Sequence, residues 1–362
     1  MRKSAITLAA ASAVAILVLS GCSSSGSGGS SASPTTNANC ATGSIKASGS
    51  TAQKNAMLNW IAKYQTQCTG ATINYSGTGS AAGIQDFINN QVAFAGTDSA
   101  AKDADLTNSS KRCSTGSAIN IPMVGGAIAL AYNLPGVSKL ILTPDVTAGI
   151  FNSTITKWND PKIAAINPGV TLPSATIAAF HRSDGSGTTK NFTAWLSAAA
   201  PVAWKYAPGK EWIAPGGQGA KGSDGVASAI KTTPNSIGYI ELSFVMTQNL
   251  TAAWVNNGGG AVQPNAASAT AALAQAKLTT TGNNNVLAID YTTKAAGAYP
   301  VVLVTYELTC EKGLPADQAT LVKSFLTYTA SDSGQNQLTA IGYVPLPASV
   351  VTPVRTAVAA IS

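Results

Sequence analysis

The chain has 362 residues, 45% of them hydrophobic and only 10% charged. One histidine in the whole chain argues against a His/Cys metal centre, and a net charge of +7 with no basic cluster interleaved with aromatics argues against a nucleic-acid binder. The length beyond the N-terminal region is roughly twice that of a usual domain, so two lobes are expected.

Residues 1–21 read as a secretory signal. Arg2 and Lys3 open it, Ala5 to Leu19 is an apolar run too short for a membrane span, and small residues precede a cleavage point. The run ends Leu19-Ser20-Gly21-Cys22. This resembles the bacterial lipobox, which implies cleavage before Cys22 and diacylation of its thiol. An ordinary signal with a chance cysteine is the other reading. Residues 22–39 follow as a Ser/Gly-rich tether with nothing to bury. Loss of Arg2 and Lys3 leaves a charge of +5, from 20 basic and 15 acidic residues. The mature chain keeps Cys40, Cys68, Cys113 and Cys310, none in a CxxC spacing. An even number in an exported chain suggests two disulfides, with three pairings open. No second long apolar run follows the signal, so nothing else spans a membrane.

Along the body, short apolar strands alternate with helical stretches. Ser44 to Ser48 is strand-like, and the next stretch places Met57, Trp60, Ile61 and Tyr64 at helical spacing. ATINY (71–75) is a strand, GTGSAAGIQDFINNQ (77–91) a glycine-rich turn entering a helix, and VAFAG (92–96) a strand that ends at Thr97-Asp98-Ser99. A long apolar run covers Ile121 to Gly136. TIAAF (176–180) is a strand, NFTAWLSAAA (191–200) a helix, and GGQGAKGSDG (216–225) a glycine-rich lead into helical VASAIKTT. SIGYIELSF (236–244) and Val301 to Leu308 read as strands, and ADQATLVKSFLTYTA and SVVTPVRTAVAAI as helices. The rhythm predicts an α/β fold with largely parallel strands, in which ligands bind beyond the strands' carboxyl ends.

HRSDGSGTTKNF (181–192) gathers His181, Arg182, Asp184, Ser186 and Lys190 in one stretch. A serine nucleophile needs a base in reach. His181 is the single candidate, and the G-x-S-x-G elbow is absent because glycines flank Ser186 directly. A P-loop needs G-x-x-x-x-G-K-[ST], and Lys190 comes three residues after Gly187 instead. The third reading is an anion site: a helix start near Thr188 offers free N–H groups, and Arg182, steadied by Asp184, offers a fork-shaped cation. An N-cap with a surface salt bridge explains the stretch equally well on its own. Repetition favours the site. SGST (48–51) and GTGSAAG (77–83) are also glycine-bearing, hydroxyl-rich strand-to-helix joints, and Asp98 ends a further strand. Three donor loops, one arginine and one carboxylate describe an enclosed tetrahedral anion.

ASGSTA, YSGTGSAAGI, FAGTDS and HRSDGSGTT, in that order, resemble the ligand loops of the periplasmic phosphate-binding proteins (PstS) of ABC uptake systems. IFNSTITKWNDPKIAAINPG, SIGYIELSF, YPVVLVTYE and GYVPLP resemble further stretches of that family, so the likeness covers nearly the whole mature chain. It implies a two-lobed type II binding-protein fold with mixed sheets flanked by helices: lobe I from 40–124 plus 300–362, lobe II from 125–299, and a hinge between. It implies that Ser50, Thr51, Ala52, Ser80, Asp98, Arg182, Ser186, Gly187 and Thr188 hold phosphate, with Asp184 orienting the arginine. Ala52 stands where the family often has a larger apolar residue, which preserves only a backbone donor there. The glycines around Gly216 and Gly225 are left as structural or rim features. The likeness further implies delivery to permease subunits driven by a cytoplasmic ATPase, a monomer lipid-anchored through Cys22 on the extracytoplasmic face, no cofactor and no catalysis. With all four mature cysteines then in lobe I, the favoured pairs are Cys40–Cys68 and Cys113–Cys310. A binder of another tetrahedral oxyanion and a secreted hydrolase are the alternatives.

Overall fold

The computed structural model describes residues 40–362. The signal, the tether and Cys22 lie outside them.

The first unit is β1 (Gly43–Gly49), α1 (Lys54–Gln67), β2 (Ala71–Ser76), α2 (Ser80–Ile88), β3 (Phe94–Thr97) and α3 (Asp103–Arg112). β1 pairs in parallel with both β2 and β3. α1 buries Met57, Trp60, Ile61 and Tyr64, the stripe that its spacing predicts. β4 (Ala118–Asn133) follows. The second unit is β5 (Ala178–Arg182), α4 (Gly187–Ala199), β6 (Gln218–Ala220), α5 (Gly222–Thr232) and β7 (Ser236–Glu241), with β5 parallel to β6 and β7. β8 (Val302–Cys310) returns to the first unit, and helices α6 (Ala316–Thr329) and α7 (Ala348–Ala359) close the chain.

The main sheet runs β2-β1-β3-β8-β4-β7-β5-β6. Its wings are parallel, but its centre is not: β8 is antiparallel to β3 and β4, and β4 is antiparallel to β7. The prediction of largely parallel strands therefore holds only for the wings. β4 joins them. Its residues Ala118 to Ala127 pair with β8, and Ile128 to Asn133 pair with β7. A strand with both faces covered reads as a continuous apolar run, as Ile121 to Gly136 does.

Two elements depart from the sequence reading. SIGYIELSF is not one strand, because β7 stops at Glu241. Its carboxylate accepts from the Ser243 N–H at 2.9 Å and caps a helix, Leu242–Gln248. The segment before β8 holds an unforeseen hairpin, Lys277–Thr281 with Asn284–Ala288. It packs on the first half of β4, where Asn284 Oδ1 accepts from the Asn120 N–H at 2.8 Å. Disulfides join Cys40 to Cys68 and Cys113 to Cys310, with Cα separations of 5.3 Å and 5.6 Å.

Candidate functional site

The carboxyl ends of β1, β3 and β5 and the starts of α2, α4 and α5 meet at one buried place. Asp98, just past β3, is 2% exposed. Three hydroxyls from three loops converge on its carboxylate: Ser50 Oγ donates to Oδ1, Ser80 Oγ to Oδ2 at 3.4 Å, and Thr188 Oγ1 to Oδ2 at 3.2 Å. The Asp98 N–H donates back to Ser80 Oγ at 3.2 Å. Burial pushes the Asp98 carboxyl up from its ordinary value, and the Ser50 bond, the Arg182 charge and the Thr188 and Ser80 bonds hold that rise in check. Gly187 makes the approach possible. A Cβ there would lie 2.6 Å from Asp98 Cβ and 2.8 Å from Ser80 Oγ.

Arg182 is also 2% exposed. Nε donates to Asp184 Oδ1 at 2.7 Å, and Nη2 to Oδ2. Among the described residues its fork has no other side-chain acceptor, which leaves N–H groups for an oxyanion. Burial pushes the Asp184 carboxyl up, but the Arg182 bonds and charge and the Gly222 N–H, 2.9 Å from Oδ1, outweigh it and hold the group below its ordinary value. Asp184 thus stays ionised. A Cβ on Gly79 would come within 2.4 Å of Asp184 Oδ2, so the α2 loop and the arginine loop also touch.

Ser186 caps α4: its Oγ accepts from the Thr189 N–H at 3.1 Å, and its proton remains free to donate. Ser186 is thus a cap, and the salt bridge beside it is mostly buried, not a surface pair. The Ala52 and Gln53 N–H groups donate to Ser50 Oγ at 3.1 Å and 3.3 Å, which folds the first loop tightly. Thr51 Oγ1 accepts from the Ser223 N–H at 3.0 Å and lies 2.9 Å from Ser223 Oγ.

Ser223 and Gly222 were missed by the sequence reading. They open α5 in AKGSDG, a fourth glycine-bearing, hydroxyl-carrying strand-to-helix joint, which the glycine pattern alone reads as structural or rim. Asn191 was missed as well. Its Nδ2 donates to the Asp98 carbonyl at 2.7 Å.

Behind the cradle, Tyr75 OH donates to the Ser50 carbonyl at 2.7 Å, and Tyr343 OH donates to the Ala52 carbonyl. Two carboxyls lie in this layer, Glu241 and Glu307, both fully buried. Burial pushes each up to about 8, which favours the neutral acid over the charged form so close to Asp98.

The catalytic readings find no support in this geometry. His181 stacks on Trp212, rings 4.7 Å apart and 10° from parallel, with Nδ1 2.9 Å from the Arg182 carbonyl. That position leaves Ser186 without a base. Lys190 Nζ donates to the Pro208 carbonyl at 2.8 Å, so it does not serve as a P-loop lysine. Among the described residues, no group of three or more His, Cys, Asp or Glu could hold a metal ion. No helix among them is long and apolar enough to cross a membrane.

Residues 34–333 match the model of the PBP superfamily domain. The chain is 42% identical over 322 residues to phosphate-binding protein PstS3 of Mycobacterium bovis, which covers 88% of this chain and 86% of that protein. It is 39% identical over 324 residues to phosphate-binding protein PstS 2 of Mycobacterium tuberculosis, covering 88% of this chain and 87% of that one. A solved phosphate binding protein from Stenotrophomonas maltophilia shares the fold at a TM-score of 0.70 and 18% identity, covering 87% of this chain and 93% of that one. The chain belongs to the PstS family and has its two-lobed fold.

Proposed function

We propose that this protein captures inorganic phosphate outside the cytoplasm, without chemistry, and hands it to an ABC permease driven by a cytoplasmic ATPase. The observation that carries this reading is a buried carboxylate, Asp98, ringed by hydroxyls beside a buried arginine whose fork is only half engaged. An anion trap that also contains a carboxylate selects for an anion carrying a proton. Phosphate carries one at neutral pH and sulfate carries none. Against sulfate, Asp98 would set lone pairs against lone pairs, and an unpaired buried acceptor costs about 1–3 kcal/mol, more when charged. Affinity comes from donors. Arg182, the hydroxyls of Thr51 and Ser186, and the Thr51, Gly187 and Thr188 N–H groups would hold the anion, joined by the Ser50, Ser80 and Thr188 hydroxyls where these turn from Asp98 to the ligand. The Ser50 and Ser186 N–H groups stay bonded to the Gly96 and Lys210 carbonyls, and the Ala52 N–H to Ser50 Oγ. Charge-assisted bonds contribute about 1.5–3 kcal/mol each, and micromolar binding needs about 8 kcal/mol in all.

Two lobes would close on the ligand by a hinge. The change of partner along β4, between Ala127 and Ile128, supports a crossing there. We place 40–127 and 302–362 in lobe I with the 277–288 hairpin, which packs there, and the remainder in lobe II. Asp98, Ser80 and Thr51 then face Arg182, Ser186 and Ser223 across the cleft. The lipobox and tether support anchoring through a diacylated Cys22. An oxyanion without a proton at neutral pH, such as sulfate or molybdate, is disfavoured by Asp98, and a hydrolase by the placement of His181. Calorimetric titration of the soluble body from Cys40 tests the reading. Phosphate should bind far more tightly than sulfate, and equal binding of the two, or none, would overturn it.

A further inference from the structure

Asn191 lies one turn into α4, four residues after Gly187, and is 5% exposed. Its Nδ2 donates to the Asp98 carbonyl at 2.7 Å and to the Gly187 carbonyl at 2.8 Å. Its Oδ1 accepts from the hydroxyl of Tyr291. Two carbonyls demand the amide nitrogen, and a phenol supplies a proton to the oxygen, so the network admits one orientation of the side chain. Burial pushes the Tyr291 phenol up, which keeps that proton in place.

Tyr291 sits on the segment between the hairpin and β8. That segment is tied to the same helix: Trp195 Nε1 donates to Asn257 Oδ1 at 3.2 Å, and Asn257 Nδ2 donates to the Tyr291 and Thr293 carbonyls at 3.2 Å and 3.0 Å. Asn191 is therefore held from behind and reaches forward. What it holds is the main chain of the residue whose carboxylate sits at the centre of the site. Asp98 follows β3, and α4 follows β5, so the bond joins elements from the two wings of the sheet.

We infer that Asn191, steadied by Tyr291, is a positioning residue that clasps the Asp98 loop to the start of α4 and so sets how slowly a bound anion leaves. The inference rests on the anion-binding reading given above. Asn191 need not touch the ligand. The bond to Asp98 links two walls that must separate for release, so its loss acts on dissociation more than on association.

Asn191→Leu keeps the approximate volume, adds no charge and removes all three bonds, while Tyr291→Phe removes only the support. Stopped-flow tryptophan fluorescence with inorganic phosphate gives both rate constants. Loss of a buried hydrogen bond predicts that Asn191→Leu speeds dissociation about 10- to 100-fold and changes association by less than about threefold. Tyr291→Phe should speed dissociation about 2- to 10-fold, since its partner stays in place. A second readout needs no ligand: amide hydrogen exchange at 97–99 and 186–189 should quicken in both variants relative to the parent. Unchanged dissociation together with unchanged exchange overturns the clasp, as does weakening that resides in the association rate alone. Should Asn191→Leu fail to fold, Tyr291→Phe decides by the same criteria. A parent protein that ignores phosphate would refute the functional reading, and the exchange comparison would still decide the clasp.

Discussion

Asp98 and the pair Glu241 and Glu307 are all buried carboxyl groups, and the Asp98 charge is felt at both glutamates. Burial raises all three, and they differ in what opposes it. Asp98 has three hydroxyl donors and an arginine charge to support ionisation. Each glutamate leaves Oε1 without a hydrogen-bond partner and is pushed to about 8. Burial alone does not make a carboxyl functional. The front layer surrounds its carboxylate with hydroxyls and a cation, and the rear layer leaves its carboxyls with fewer donors and so favours their neutral form.

The widest gap between the layers should appear at Arg182. Arg182→Met strands the Asp184 charge, and breaking a buried ion pair costs about 3–5 kcal/mol. Phosphate affinity measured by calorimetry should fall by at least about 100-fold, with a lowered melting temperature. Gly187→Ala comes next. Its methyl would collide with Asp98 backbone N at 2.8 Å as well as with the Asp98 and Ser80 side chains, so the two walls must part. The same titration should show a loss of about tenfold or more. Ser223→Ala removes one neutral hydroxyl facing Thr51 and should weaken binding only about two- to tenfold.

The rear layer should behave in reverse, with little effect on affinity and a clear one on the pH profile of stability. Glu241 and Glu307 have an ordinary value of 4.5 and are raised to about 8 in the fold. Their stabilising contribution is complete below pH 4.5, where both states are protonated, and is lost as pH rises to about 8. The double variant Glu241→Gln, Glu307→Gln should therefore show a flatter melting temperature between these limits than the parent. Phosphate affinity should stay within about threefold. A large loss of affinity with an unchanged pH slope would place these glutamates in the front layer.

The front layer was legible because its chemistry recurs: a strand end, a glycine and a hydroxyl before a helix, three times over, with Arg182 and Asp98 nearby. The same signature at AKGSDG is diluted by the surrounding run of glycines, which hides Ser223. The rear layer left no trace. Glu307 stands in VVLVTYEL, which reads simply as a strand, and nothing local announces that burial will keep its proton on. The end of β7 was equally hidden, since Glu241 acts as a cap only once Leu242–Gln248 turns helical. The hairpin at 277–288 has mostly exposed, polar residues on its first strand and so lacks an apolar period. Its two-residue turn at Gly282-Asn283 was the available signal. Antiparallel pairing at the centre of the sheet depends on contacts between distant segments, which local pattern does not encode.

The central claim is that Asp98 selects phosphate by the proton it carries. Calorimetric titration of Asp98→Asn with phosphate and with sulfate at neutral pH tests this most directly. An asparagine amide can donate to either anion, so the preference for phosphate should shrink by about tenfold or more, largely through improved sulfate binding. An unchanged ratio of the two affinities would contradict the account.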